Sequence, residues 1–97
     1  MREVVITDTA KEDIEVISDF LREKFSNKSR LEFLFLISEK LQFIEKMPFM
    51  YPVSKTNIRV RKCLIHKKCT LFYEVSDRLI SILAVFDNRI NPDIIKF

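Results

Sequence analysis

The chain has 97 residues, no glycine, two cysteines and a formal charge of +3, with 47% apolar, 11% aromatic and 32% charged residues. Those proportions exclude a disordered tail, a fibre and a two-domain enzyme, and leave one globular domain over 1–97 with a modest core. The lack of glycine excludes the P-loop and Rossmann phosphate cradles, whose backbones need it where φ is positive or a ligand comes close. No cofactor is expected.

Charge is unevenly spread. Residues 1–46 hold ten acids against eight Lys and Arg, whereas residues 47–97 hold four acids against nine. From Lys55 to Tyr73 there are Lys55, Arg59, Arg61, Lys62, Lys67 and Lys68 and no acid, a stretch suited to nucleic acid or an acidic protein segment. No apolar run reaches membrane-spanning length and the N-terminus lacks a signal-peptide layout, so a cytoplasmic protein with no membrane partner and reduced cysteines is expected.

In chain order, the β-branched run 3–7 predicts a strand. Thr9 with Glu12 has the form of a capping box, opening a helix over 10–25 with Ile14, Ile17, Leu21 and Phe25 at helical spacing. Residues 26–29 break it. A second helix over 29–47, with Leu34, Ile37, Leu41 and Ile44 on one face, ends before Pro48. The period then becomes two, and 57–65, 69–75 and 79–86 read as three strands of an antiparallel meander. Without glycine, tight primed turns fall to pairs such as Ser76-Asp77 and Asp87-Asn88. The order predicts an α+β domain: an N-terminal strand, a two-helix hairpin and a three-stranded meander, with the helices on one face of a small sheet.

Candidate chemistry is sparse. Arg59 and Arg61, two apart on a predicted strand, point to one sheet face and suit phosphate or carboxylate; a solvated face is the plainer reading. Tyr73 is either a core-edge residue with its hydroxyl at the surface or a group that stacks on a base or moves a proton. Cys63, His66 and Cys69 form C-x2-H-x2-C, but no fourth ligand is evident and two lysines stand inside, so no metal is assigned. The cysteines are expected to face each other across the second hairpin. His66, the only histidine, is a turn residue or a general base. Arg89 matters only if the fold carries it toward Arg59 and Arg61.

Thr9-Ala10-Lys11-Glu12-Asp13-Ile14, Met47-Pro48 with Tyr51-Pro52, Asn57-Ile58-Arg59, Leu71-Phe72-Tyr73-Glu74-Val75 and Phe86-Asp87-Asn88-Arg89-Ile90-Asn91-Pro92 occur in an order that resembles the RelE/ParE superfamily of bacterial type II toxins. The ending looks more ParE-like. The resemblance implies a cytoplasmic toxin neutralised by a cognate antitoxin, touching operator DNA only through that antitoxin. It implies one of two targets, DNA gyrase for ParE-like members or messenger RNA on the ribosome for RelE-like ones. A degenerate toxin that only binds its antitoxin is a third reading. If the chain is an enzyme, it is a metal-independent endoribonuclease with Arg59, Arg61, Tyr73 and Arg89 at its centre. Lys55, Arg59, Arg61, Lys62, His66, Lys67, Lys68 and Arg89 are the candidate target-binding groups.

Overall fold

The computed structural model describes residues 2–90; Asn91 and Pro92 of the closing motif lie outside the described residues. The elements are β1 (Glu3–Ile6), α1 (Asp8–Lys24), α2 (Asn27–Lys46), β2 (Val60–His66), β3 (Cys69–Val75) and β4 (Leu79–Asp87). The expected strand, helix pair and meander are present. Their sheet is mixed, in the order β1-β4-β3-β2, with β1 parallel to β4 and the other pairs antiparallel. None of the described helices is long and apolar enough to cross a membrane.

Both helices start two residues earlier than their sequence patterns indicate, because other hydroxyls cap them. Thr7, not Thr9, caps α1: its Oγ1 accepts from the Ala10 N–H at 3.2 Å and donates to the Ile82 carbonyl at 2.8 Å. One side chain thus ends the strand, opens the helix and ties both to β4. Ser26 caps α2 by accepting from the Ser29 N–H at 3.0 Å. The helices are joined only by Phe25 and Ser26, whose N–H groups both donate to the Leu21 carbonyl at 3.0 Å.

The core lies between the helical hairpin and one sheet face. Ile17 and Leu21 of α1 and Phe33, Ile37 and Ile44 of α2 meet Cys63, Leu71, Tyr73, Ile80, Ile82 and Val85 of the sheet. Leu71, Ile80 and Ile82 are wholly buried, and each such burial stabilises the fold by about 1.5–3 kcal/mol. Asp13 reaches from α1 to accept the Val85 N–H at 2.9 Å, beside the point where the β3–β4 pairing passes from Phe72↔Ala84 to Tyr73↔Ile82. Leu83 is the extra residue of that bulge, and the carboxylate serves a backbone donor there.

The turns differ from expectation in an informative way. No described residue has a positive φ, so the primed turns expected at Ser76-Asp77 and Asp87-Asn88 are absent. Ser76 closes the β3–β4 connection instead, donating its N–H to the Leu79 carbonyl at 2.8 Å and accepting the Leu79 N–H on Oγ at 3.2 Å. A hydroxyl supplies what a left-handed residue would otherwise provide. Asp87-Asn88 is the end of β4 rather than a hairpin, with the Asn88 N–H on the Lys68 carbonyl at 2.8 Å.

Strand β2 begins at Val60, three residues later than the alternation predicts. Asn57 folds the preceding residues into a turn, accepting the Val60 N–H on its carbonyl at 3.0 Å and the Arg59 N–H on Oδ1 at 3.0 Å. The loop after α2 then covers the outer edge of β2: Ser54 donates to the Val60 carbonyl at 2.7 Å and Lys62 to the Pro52 carbonyl at 2.9 Å, around a Val53–Arg61 bridge. An edge that would otherwise offer unpaired backbone groups is closed there.

Candidate functional site

The basic residues fall into two groups at opposite ends of the meander. Arg59 and Arg61 do not share a strand, since Arg59 lies in the Asn57 turn, yet both line one open depression of ≈ 380 Å³ with Phe49, Ile58 and Glu74. Arg61 is anchored by its loop: Nη1 donates to the Tyr51 carbonyl at 2.7 Å and the Phe49 carbonyl at 3.4 Å. Its guanidinium carbon stands 5.1 Å from the Phe49 ring centroid, and that of Arg2 stands 5.1 Å from the same centroid. Arg2 is fixed in turn by its Nε, which donates to the Ser76 carbonyl at 2.7 Å.

Arg2 and Glu74 are members of this surface that sequence reasoning missed. Arg2 is placed by the parallel pairing of β1 with β4, which sets Glu3 opposite Leu79, and nothing local in the sequence signals that pairing. Glu74 pairs with Val60, so the correct β2–β3 register would have set it beside Arg59. Phe49 is 57% exposed and Ile58 82% exposed. The surface therefore alternates cations with outward apolar groups.

Tyr73 is wholly buried, and its hydroxyl donates to the Pro48 carbonyl at 2.6 Å. The ring meets Tyr51 edge-on at 6.4 Å between centroids. Burial pushes the Tyr73 hydroxyl up to about 12, with the Arg61 charge opposing in part. Its hydroxyl faces inward, where it holds the Pro48 loop on the sheet.

Arg89 occupies the other end. Its Nε donates to Asp87 Oδ1 at 2.9 Å and its Nη2 to Oδ2 at 2.6 Å, while its backbone N–H also donates to Oδ1 at 2.9 Å. Asp87 is wholly buried. Burial raises its carboxyl, but the Arg89 hydrogen bonds and charge outweigh this and hold it below the ordinary carboxylate range. The guanidinium also lies 5.7 Å from the Phe20 centroid and 5.5 Å from that of Phe25. His66 stands nearby with Nδ1 accepting the Lys68 N–H at 3.1 Å; burial, then the Arg89 charge, lower its imidazole below the ordinary value.

From Arg61 to His66 strand β2 advances five residues, about 17 Å. The fold thus brings Arg59 to Arg61 and Arg89 to His66, and keeps the two groups apart. Lys55, Lys67 and Lys68 are exposed, and Lys62 borders a separate depression with Tyr51 and Leu64. The cysteines do not face each other: Cys63 pairs with Leu71 and Cys69 with His66. That diagonal puts their Cα atoms about 8 Å apart, beyond disulfide reach, and both are free and buried.

A third surface runs along the helical hairpin. Leu31 and Phe35, 53% and 66% exposed, line an apolar groove with Lys28, Glu32 and Leu36. Glu32 and Leu36 also border a smaller depression that reaches Phe25, His66 and Arg89, so the groove continues to the Arg89 end of the sheet.

A mixed four-stranded sheet backed on one face by a helical hairpin is the fold of the RelE/ParE toxins. The chain is similar to the structure described as the chromosomal ParDE TA system from P. aeruginosa, with 17% identity, a TM-score of 0.79, and 90% of this chain and 96% of that one covered. It is also similar to the YoeB/ParE toxin from Agrobacterium tumefaciens, with 13% identity, a TM-score of 0.65 and coverage of 88% and 96%. The YoeB dimer from Staphylococcus aureus gives 16%, 0.62, and 88% and 94%. Residues 4–92 match the family model described as ParE toxin of type II toxin-antitoxin system, parDE. The chain belongs to the ParE toxin family. No curated protein matches the sequence.

Proposed function

We propose that the protein is a cytoplasmic toxin that arrests growth by binding a protein target, DNA gyrase in the first instance, through the Arg2, Arg59 and Arg61 surface. One observation carries this reading: Ile58, 82% exposed, lines the same depression as Phe49, Arg59 and Arg61. Apolar anchors ringed by arginines are the composition of protein-binding hot spots. Phosphodiester cleavage asks for something else, cations converging on the scissile phosphate and a group to move the proton. Tyr73 has committed its hydroxyl to Pro48, and His66 is at the opposite end of β2.

The nuclease reading retains one specific support, because Glu74 shares the depression with Arg59 and Arg61 and is the acid such chemistry would use as its base. Neutralisation is proposed to occur on the hairpin groove. An antitoxin segment with apolar anchors seats on Leu31 and Phe35, its acidic side chains facing Lys28 and the Arg89 end.

The test is to add purified toxin to a gyrase supercoiling assay and, in parallel, to map messenger RNA ends by primer extension after brief induction without antitoxin. Inhibited supercoiling that Ile58→Asp or Arg59→Glu abolishes, with messages intact, is the expected result. Codon-phased cuts that vanish in Glu74→Gln and persist in Ile58→Asp would overturn it in favour of the nuclease. A folded wild-type chain with neither effect would leave only the antitoxin-binding role.

A further inference from the structure

The sequence motif Cys63-x2-His66-x2-Cys69 fails as a metal site because Cys63 belongs to a different position on the sheet. The fold replaces it with a residue eighteen positions beyond Cys69. Ligand atoms of His66, Cys69 and Asp87 all lie within 4.8 Å of one another at the closed end of the β2–β3 hairpin, where Cys69 pairs with both His66 and Asp87. We propose that His66, Cys69 and Asp87 bind a borderline-soft divalent cation of the zinc class, which replaces the Arg89 guanidinium as the partner of Asp87.

The chemistry of the donors selects the cation. A thiolate, an imidazole and a carboxylate suit zinc or cobalt(II), and neither magnesium nor calcium favours the sulfur and nitrogen. Three protein donors leave a fourth position for water or for an acidic side chain of a partner. Glu32, which borders the depression containing His66 and Arg89, is the carboxylate of this chain nearest that opening among the residues lining it. Binding deprotonates Cys69 and sends that proton to solvent, so the charge added by the cation is partly offset by the thiolate.

Two present interactions must yield or be shared. The first is the bidentate contact of Arg89 with Asp87. Released from the carboxylate, the guanidinium still has the faces of Phe20 and Phe25 within 5.7 Å and 5.5 Å, so it is not left without favourable neighbours. The second is the Lys68 N–H on His66 Nδ1, in an exposed turn where water can take its place. Exchange of one cation for another thus turns Arg89 outward, toward the hairpin groove it already borders. The assignment does not depend on which target the toxin binds.

The test is cobalt(II) titration of the purified full-length toxin, followed by absorption in the thiolate-to-cobalt charge-transfer region, with zinc competition. One cobalt per chain with a charge-transfer band is expected, lost in Cys69→Ala, retained in Cys63→Ala, and shifted to weaker binding by about tenfold or more in His66→Gln. Zinc should also raise the thermal midpoint of wild type and not of Cys69→Ala, since a ligand that prefers the native state stabilises it. A wild-type chain without the band at millimolar cobalt overturns the assignment. So does a band that survives Cys69→Ala or disappears in Cys63→Ala, with circular dichroism confirming that the variants are folded.

Discussion

Replacing Arg89 with alanine should unfold the protein more readily than it removes any contact with a target. Asp87 has no exposed surface, and Arg89, whose side chain is 23% exposed, makes both side-chain hydrogen bonds to it. Removing one member of a buried pair leaves an uncompensated charge and costs about 3–5 kcal/mol. The partial exposure of Arg89 favours the lower end, about 3 kcal/mol, because water can reach the space the guanidinium leaves. A domain of this size has an unfolding entropy near 0.2 kcal/mol/K, from about 2.1 cal/mol/K per residue, so the midpoint should fall by about 15 °C. Against a typical total of about 5–15 kcal/mol, that is enough to lower the amount of folded toxin in a cell.

Thermal and urea unfolding by circular dichroism would measure it, in a double-mutant cycle of Arg89→Gln, Asp87→Asn and the pair. The paired variant keeps a neutral hydrogen bond and buries no charge, so it should recover most of the loss, giving a coupling energy of about 2 kcal/mol or more. An Arg89→Ala protein within about 1 kcal/mol of wild type would refute the reasoning. Toxicity separates the two roles of this residue. If the paired variant regains both stability and toxicity, Arg89 acts through the fold; if it regains stability alone, the guanidinium itself touches the target.

Other expectations follow from single contacts. Tyr73→Phe leaves the Pro48 carbonyl without its donor at 2.6 Å and should cost about 1–3 kcal/mol in urea unfolding, while toxicity per folded molecule stays near wild type; a selective loss of toxicity with stability intact would return Tyr73 to the mechanism. Ser18 is buried with no hydrogen-bond partner for its Oγ among the described residues, so Ser18→Ala should raise stability by about 0.5–2 kcal/mol through relief of desolvation and better helix propensity; a loss of stability would expose a partner for that hydroxyl. Asp13 has its carboxyl raised above 3.8, chiefly by burial, with the Val85 hydrogen bond opposing and Glu12 adding. The native state therefore holds that proton more tightly, and Asp13's contribution to stability falls as pH rises from 3.8 through the raised value. Asp13→Asn keeps the acceptor without the charge and should flatten that slope, with no loss at pH 7; an unchanged slope in the variant would refute the assignment.

The order of elements was legible because it rests on periodicity, which is local: Ile14, Ile17 and Leu21 declare a helix whatever the rest of the chain does. The caps were not, since the capping-box spacing selects Thr9 with Glu12, whereas Thr7, at the end of the strand run, is the hydroxyl that meets the Ile82 carbonyl of β4. The same limit governs the site. Arg59 and Arg61 were found from spacing, and they do share a depression, but through a turn that Asn57 imposes and alternation cannot reveal. Arg2 beside Phe49 depends on a parallel pairing between the first strand and the last. Asp87 beside His66 and Cys69 depends on the β3–β4 register. A sequence motif names residues that are close along the chain, whereas a sheet joins residues by register. Here register moves Cys63 out of its motif and brings Asp87 in.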